Sequence, residues 1–294
     1  MSQLESNINV ESQPATEKTV AHEAQPQQTT HEITLSAEPI FDVSGFQITN
    51  SMLNTWLVVF ILIVFTIVLR LKIKKIPRGI QNIFEIVLEG GLNLCDSVTH
   101  DRKKTMKIFP VVFTLFVFIL LNNWMGMLPG IGSIGFIESN GAHSAFIPYF
   151  RGGTADLNTT LALAIMVVIL SNFFGFVTVG IWKYFNKFVN FKALVQIPVK
   201  MFKDPTVLIV NPIKFLVGLI EIVGEIAKVA SLSFRLFGNV FAGEVLLSSI
   251  AVIFSFGLPI PFMFLEIIVG IIQALIFAML TLVYFTIAVT EEEH

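Results

Sequence analysis

The sequence predicts an all-α integral membrane protein, and three observations carry that prediction. Apolar residues make up 54% of the 294 positions, charged residues only 14%, and the apolar ones are gathered into runs long enough to cross a bilayer. Soluble domains carry about 25% charged residues, and a chain with a mean hydropathy of +0.77 cannot present enough polar surface to stay in water. The net charge of −2 is uninformative because the charges are segregated along the chain. The single cysteine, Cys95, rules out an internal disulfide or a cysteine metal cluster, and His22, His31, His100, His143 and His294 lack the spacing of a metal site. No Gly-x4-Gly-Lys-Ser/Thr loop is present, so no nucleotide, metal or other cofactor is expected, and nothing points to nucleic acid.

Residues 1–40 are rich in Gln, Glu, Thr, Ser and Ala. They bury too little apolar surface to offset the entropy of ordering, so a disordered polar tail is expected there, ahead of a membrane domain over 45–294. The chain does not open on a basic and then apolar leader, and its first apolar run is too long to read as a cleaved signal. That run, Met52 to Leu71, matches the ~20 residues of a crossing. Gly79 to Thr99 alternates Ile, Phe, Val and Leu with Gln, Asn, Glu and Asp at helical spacing, which predicts an amphipathic helix on the membrane surface. A second span covers Ile108 to Met127 and stops at Leu128-Pro129-Gly130, with a polar loop over 130–156. Leu157 to Ile181 form a third, followed by the basic stretch Lys183 to Lys203. Val207 to Phe256 is apolar for far longer than one crossing needs and reads as one tilted helix or as two. After Gly257-Leu-Pro259-Ile-Pro261 a last run extends from Phe262 to Val289. Of the 19 Lys and Arg, nine lie between Arg70 and Lys107 and five between Lys183 and Lys203, against Lys18 and Arg151 on the other side. That imbalance predicts an external N-terminus and a cytoplasmic C-terminus.

The chemistry is concentrated in the last two runs, where Lys214, Glu221, Glu225, Lys228, Arg235, Glu244 and Glu266 interrupt apolar sequence. At 100° per residue, positions 221, 225, 228, 235 and 239 share one stripe, and Glu244 lies on the opposite side. Gly224, Ala227, Ala230, Ser231, Ser233, Gly238, Ala242 and Gly243 leave room for a second helix to approach closely. Glu221, Glu225 and Lys228, spaced three and four apart, satisfy one another locally, and Lys214 near the helix end snorkels to the headgroups. Glu266, Gly270 and Gln273 share a face of the final helix, which if folded back places Glu244, Glu266 and Gln273 along a common aqueous cleft. A guanidinium cannot shed its charge, so Arg235 serves either an ion path or a static ion pair with a glutamate of this chain.

The run Ser231-Leu-Ser-Phe-Arg235-Leu-Phe-Gly-Asn239-Val-Phe-Ala-Gly-Glu244 closely resembles the signature of subunit a of F-type ATP synthases. The block from Ile272-Gln273-Ala274 through Thr281 and Tyr284 is similar to that family's C-terminal helix. Asp156-Leu-Asn158-Thr-Thr and Asn211-Pro212, each opening a run, fit it too, and the resemblance covers about residues 45–294. It implies about five membrane helices plus the surface helix, with the last two long and strongly tilted against a rotating ring of c subunits. It also implies b subunits of a peripheral stalk as partners, indirect contact with the F1 sector, and a bacterial inner membrane. By matching position, Arg235 takes the ring-facing role, Asn239 and Gln273 accompany it, and Glu244, Glu266 and Asp156 belong to proton access from the outer side. The chain itself would catalyse nothing. Many members carry histidine at the position of Glu244 or Glu266, where this chain has glutamate at both.

Two other classes fit parts of the pattern. A secondary transporter would use the buried Arg and Glu as substrate ligands and the Gly-Pro breaks as discontinuous helices, although the segments show no internal repeat. A structural membrane protein with a static ion pair would tolerate loss of the Arg235 charge.

Overall fold

In the computed structural model, residues 36–128, 131, 134–140, 143–180, 207–254 and 257–290 are described. The polar tail up to residue 35, the basic stretch over 183–203, the side chains of Asn211, Pro212 and Lys214, and the acidic C-terminus lie outside the described residues. The described chain is helical apart from two short hairpins and a 3-10 turn.

A hairpin of β1 (Pro39–Val43) and β2 (Phe46–Thr49) leads directly into α1 (Asn50–Lys72). Its turn at Ser44-Gly45 needs positive φ at both residues, which Gly45 adopts without steric cost. Thr49 caps α1, its hydroxyl accepting from the Met52 amide at 3.4 Å. Helix α2 (Ile80–Thr99) follows, and Asp101 caps α3 (Arg102–Met127) by accepting from Lys103 N at 2.9 Å. The loop expected over 130–156 contains a second hairpin, β3 (Gly135–Asn140) with β4 (His143–Pro148), then a 3-10 turn at Gly153–Ala155. Strands of four to six residues fall far short of a crossing, so neither hairpin stands out among the apolar runs of the sequence. Next come α4 (Leu157–Val179), α5 (Val207–Ile253) and α6 (Pro259–Thr290). The long apolar run is thus one 47-residue helix rather than two.

Helices α1, α3, α4, α5 and α6 are each long and apolar enough to cross a membrane, and α2 is not among them. At 1.5 Å per residue α5 is about 70 Å long, over twice the ~30 Å hydrocarbon core, so it crosses at a steep tilt or runs partly along the surface. Two clusters hold the bundle. Leu115, Ile119, Leu163, Val167, Leu232, Leu236 and Phe277 join α3, α4, α5 and α6. Leu92, Cys95, Ile108, Val112, Leu282 and Phe285 dock α2 onto α3 and α6. Lipid is as apolar as leucine, so these contacts hold the bundle by packing and dispersion rather than by exclusion of water. The antiparallel order gathers the start of α1, the end of α3, the start of α4, the later half of α5 and the start of α6 at one end. The basic residues Arg70 to Lys107 lie at the other.

Candidate functional site at the end of the bundle and on the open face of the long helix

Helix α5 presents two faces, as its spacing predicts. Leu232, Ser233, Leu236, Phe237 and Val240 are buried against the bundle, while Ser231, Phe234, Arg235, Ala242 and Val245 are exposed. Arg235 therefore points out of the molecule. Among the described residues no hydrogen bond or ion pair holds its guanidinium, although Tyr284 of α6 lies within its electrostatic reach. Gly238 and Gly224 face open space, with no atom within 4 Å of where a Cβ would stand. Asn239, one turn beyond Arg235, is half-buried. The static pair weighed as an alternative for Arg235 is absent among the described residues. Glu225 and Lys228 do satisfy each other, at 2.6 Å, with Asn172 Nδ2 donating to Glu225 at 3.3 Å and the Tyr284 ring 5.3 Å from the ammonium.

Nine residues on, Glu244 turns the other way, towards the bundle end. Arg151, only 9% exposed, donates from Nε to Glu244 Oε2 at 3.2 Å. The second carboxylate oxygen faces backbone: a Cβ on Gly152 would stand 3.3 Å from it, and one on Gly126 4.0 Å. Glu266, 8% exposed at the start of α6, lies with its carboxylate over Gly243, where any Cβ would collide with it. Glu244 and Glu266 are near enough to interact electrostatically. Gly243 is thus a close approach that lets two acidic helices meet.

Gln273, two turns further along the same face of α6, is buried and its Nε2 has no partner among the described residues. Between Glu266 and Gln273, Asn123 of α3 donates to the Gly270 carbonyl at 3.1 Å and accepts from Thr154 at 2.7 Å. Asn122 and Asn54 are fully buried with amide atoms lacking protein partners, and Gly153 packs against Asn122 and Thr55.

Asp156 is brought to the same end but is committed locally. It caps α4 by accepting from Asn158 N at 3.2 Å and Thr159 Oγ1 at 3.3 Å, and it also accepts from Ser51 of α1 at 3.1 Å. Sequence reasoning did not single out Arg151, Asn54, Asn122, Asn123 or Thr154. Adjacent asparagines inside the apolar run of α3 were a usable signal, since a buried amide in hydrocarbon demands a partner. Arg151 carried no such signal, because it sits in a polar loop far from Glu244 in sequence. No group of three or more metal-ligating side chains is present among the described residues.

Comparison with known proteins fits this arrangement. The family described as ATP synthase A chain matches residues 52–286. The chain is 33% identical over 244 residues to ATP synthase subunit a of Syntrophobacter fumaroxidans, covering 82% of this chain and 84% of that protein. It is 33% identical over 252 residues to ATP synthase subunit a of Mycobacterium tuberculosis, covering 84% and 89%. Against ATP synthase subunit a of Moorella thermoacetica the identity is 31% over 245 residues, covering 83% and 93%.

Proposed function

Because the chain belongs to the ATP synthase A chain family, and so is the non-catalytic proton-channel stator subunit of the Fo sector, we propose that Arg235 is the fixed charge meeting the carboxylates of a rotating c ring. The subunit is a multi-pass membrane protein associated with other Fo and F1 subunits. The observation that carries the reading is a guanidinium exposed on the outward face of α5, flanked by small residues and without an ion-pair partner among the described residues. A charge facing lipid is costly, so this face is suited to a partner helix bearing an acid.

A protonated ring carboxylate is neutral and can face lipid, whereas an ionised one cannot. Opposite Arg235 at 4 Å, attraction of ~4 kcal/mol at an effective dielectric of 20 favours the ionised form and expels the proton. Glu244, Glu266, Asn239, Gln273 and Asp156 serve the route from the bundle end, with the orphaned amides as wet positions along it. Glu244 lies ~13 Å along α5 from Arg235, and Gln273 ~10 Å along α6 from Glu266. The fixed cation also stops protons from running straight between the two half-channels. Each proton falling through 100 mV releases ~2.3 kcal/mol, which ring rotation carries to the ATP-making subunits.

The finer assignments follow the same reading. The acidic end faces outward and the basic end the cytoplasm of a bacterium, consistent with the Lys and Arg distribution. The membrane unit begins near residue 45, and b subunits contact it. The test is ATP-driven acidification of inverted membrane vesicles. Arg235→Ala is expected to abolish pumping at unchanged chain abundance, and retained pumping would overturn the reading.

A further inference from the structure

Two glutamates meet at the bundle end, and their surroundings are unequal. Glu244 is anchored: Arg151 Nε donates to Oε2 at 3.2 Å, and the Gly126 and Gly152 backbones close on Oε1. Arg151 is in turn held from behind, its Nη1 donating to the Ser36 carbonyl at 3.3 Å. Glu266 is 8% exposed, rests on the bare backbone of Gly243, and has no hydrogen bond or ion pair among the described residues. The charged groups facing Glu244 are Arg151, from the segment ahead of the 3-10 turn, and Glu266, from α6, while α3 offers only the backbone of Gly126. Among the described residues, the charged group facing Glu266 is Glu244.

Two carboxylates in one part-dry site cannot both ionise cheaply, and an adjacent permanent cation decides which keeps the charge. We propose that Arg151 is a positioning residue that holds Glu244 as a fixed anion and leaves Glu266 as the carboxyl that takes up and releases the travelling proton. The proposal rests on the reading of Glu244 and Glu266 as part of the proton route. It gives the pair unequal tasks. Glu244 neutralises Arg151 and attracts protons to the site, and Glu266 hands them on towards Gln273 and Arg235. The chemistry is proton transfer alone: Glu266 gains a proton from water on one side and returns it to water or a ring carboxylate on the other.

The test uses the assembled complex in inverted vesicles, comparing pumping across pH at equal chain abundance. Glu266→Gln is expected to lower pumping at least ~10-fold. Arg151→Gln strands the Glu244 charge beside Glu266, and should lower pumping ~10-fold and displace its pH profile by about one unit. Arg151→Lys, which keeps the cation, should leave the profile in place. The decisive variant combines Arg151→Gln with Glu244→Gln, removing both fixed charges and leaving Glu266 alone. It should pump at least ~3-fold faster than either Arg151→Gln or Glu244→Gln alone, as coupled neighbours do when both are removed. A double variant as inactive as Glu244→Gln alone would overturn the proposal, because Glu244 would then carry the proton itself. Normal pumping by Glu266→Gln with loss in Glu244→Gln would overturn it as well. Normal pumping by both single glutamate variants would instead remove the route from this end of the bundle. Should Arg151→Gln alone fail to assemble, the charge-balanced double variant still decides.

Discussion

At the scale of single residues, the two charged sites on α5 differ in what balances them. Glu244 has its counter-ion within the chain, whereas Arg235 faces outward from the bundle. A guanidinium at mid-membrane costs ~2.5–3.5 kcal/mol on insertion scales, so the outward position makes sense only beside a partner. Gly238, one turn from Arg235, tests this separately from the charge. Its missing Cβ would touch nothing among the described residues, so Gly238→Leu should leave abundance and the packing of the subunit unchanged. A leucine there would nevertheless hold an approaching helix away, and pumping should fall at least ~10-fold. Normal pumping in vesicles from this variant would show that no partner packs over Gly238.

At the scale of elements, α2 was expected on the membrane surface, and its packing explains how it is held. It buries Leu92, Cys95 and Thr99 against α3 and α6 while Ile80, Ile83, Ile86 and Val87 stay exposed. Burial, and secondarily the neighbouring Asp96, push the Cys95 thiol up to about 11. A thiol with so high a pKa is almost wholly protonated at pH 8, leaving ~100-fold less thiolate than an ordinary exposed cysteine. Maleimide labelling of Cys95 in intact membranes should therefore be slow at pH 8 and accelerate as pH rises through 10 and 11. Rapid labelling at pH 8 would mean that α2 is undocked in the membrane. The helix was legible because its 3.6-residue alternation survives without tertiary context. Its docked face was not, because Leu92 and Cys95 are no more apolar than the isoleucines left outside.

At the scale of the molecule, the N-terminal hairpin ties the early chain to the end of the bundle that holds Glu244 and Glu266. Glu38 and Asn50 exchange hydrogen bonds, Asn50 Nδ2 donates to the Pro148 carbonyl at 3.4 Å, and the Ser36 carbonyl accepts from Arg151. Composition alone places the end of the polar tail near residue 40, and among the described residues Ser36 and Glu38 already contact this end. Deleting residues 2–34 should leave ATP-driven pumping within ~2-fold of the parent. Extending the deletion through residue 38 removes the three hydrogen bonds of the Ser36 and Glu38 backbones, worth about 0.5–1.5 kcal/mol each, and should lower it further. Equal pumping by the two deletions would show that the Ser36 and Glu38 contacts play no part in shaping the site.

The sequence by itself determined the class, the apolar runs, the amphipathic pattern of α2, the two faces of α5 and the family. These follow from hydrophobic runs, helical phase and the Arg235 to Glu244 signature, all of which are local or nearly so. Phase alone put Arg235 and Glu244 on opposite sides, because a regular helix admits no other outcome over nine residues. Only the tertiary structure decided that Arg151 reaches Glu244 across 93 residues, that Gly243 admits Glu266, and that Ser51 of α1 donates to Asp156. Such pairings depend on which helix ends share one end of the bundle and on how closely their backbones approach. Neither quantity is written in the periodicity of any single segment.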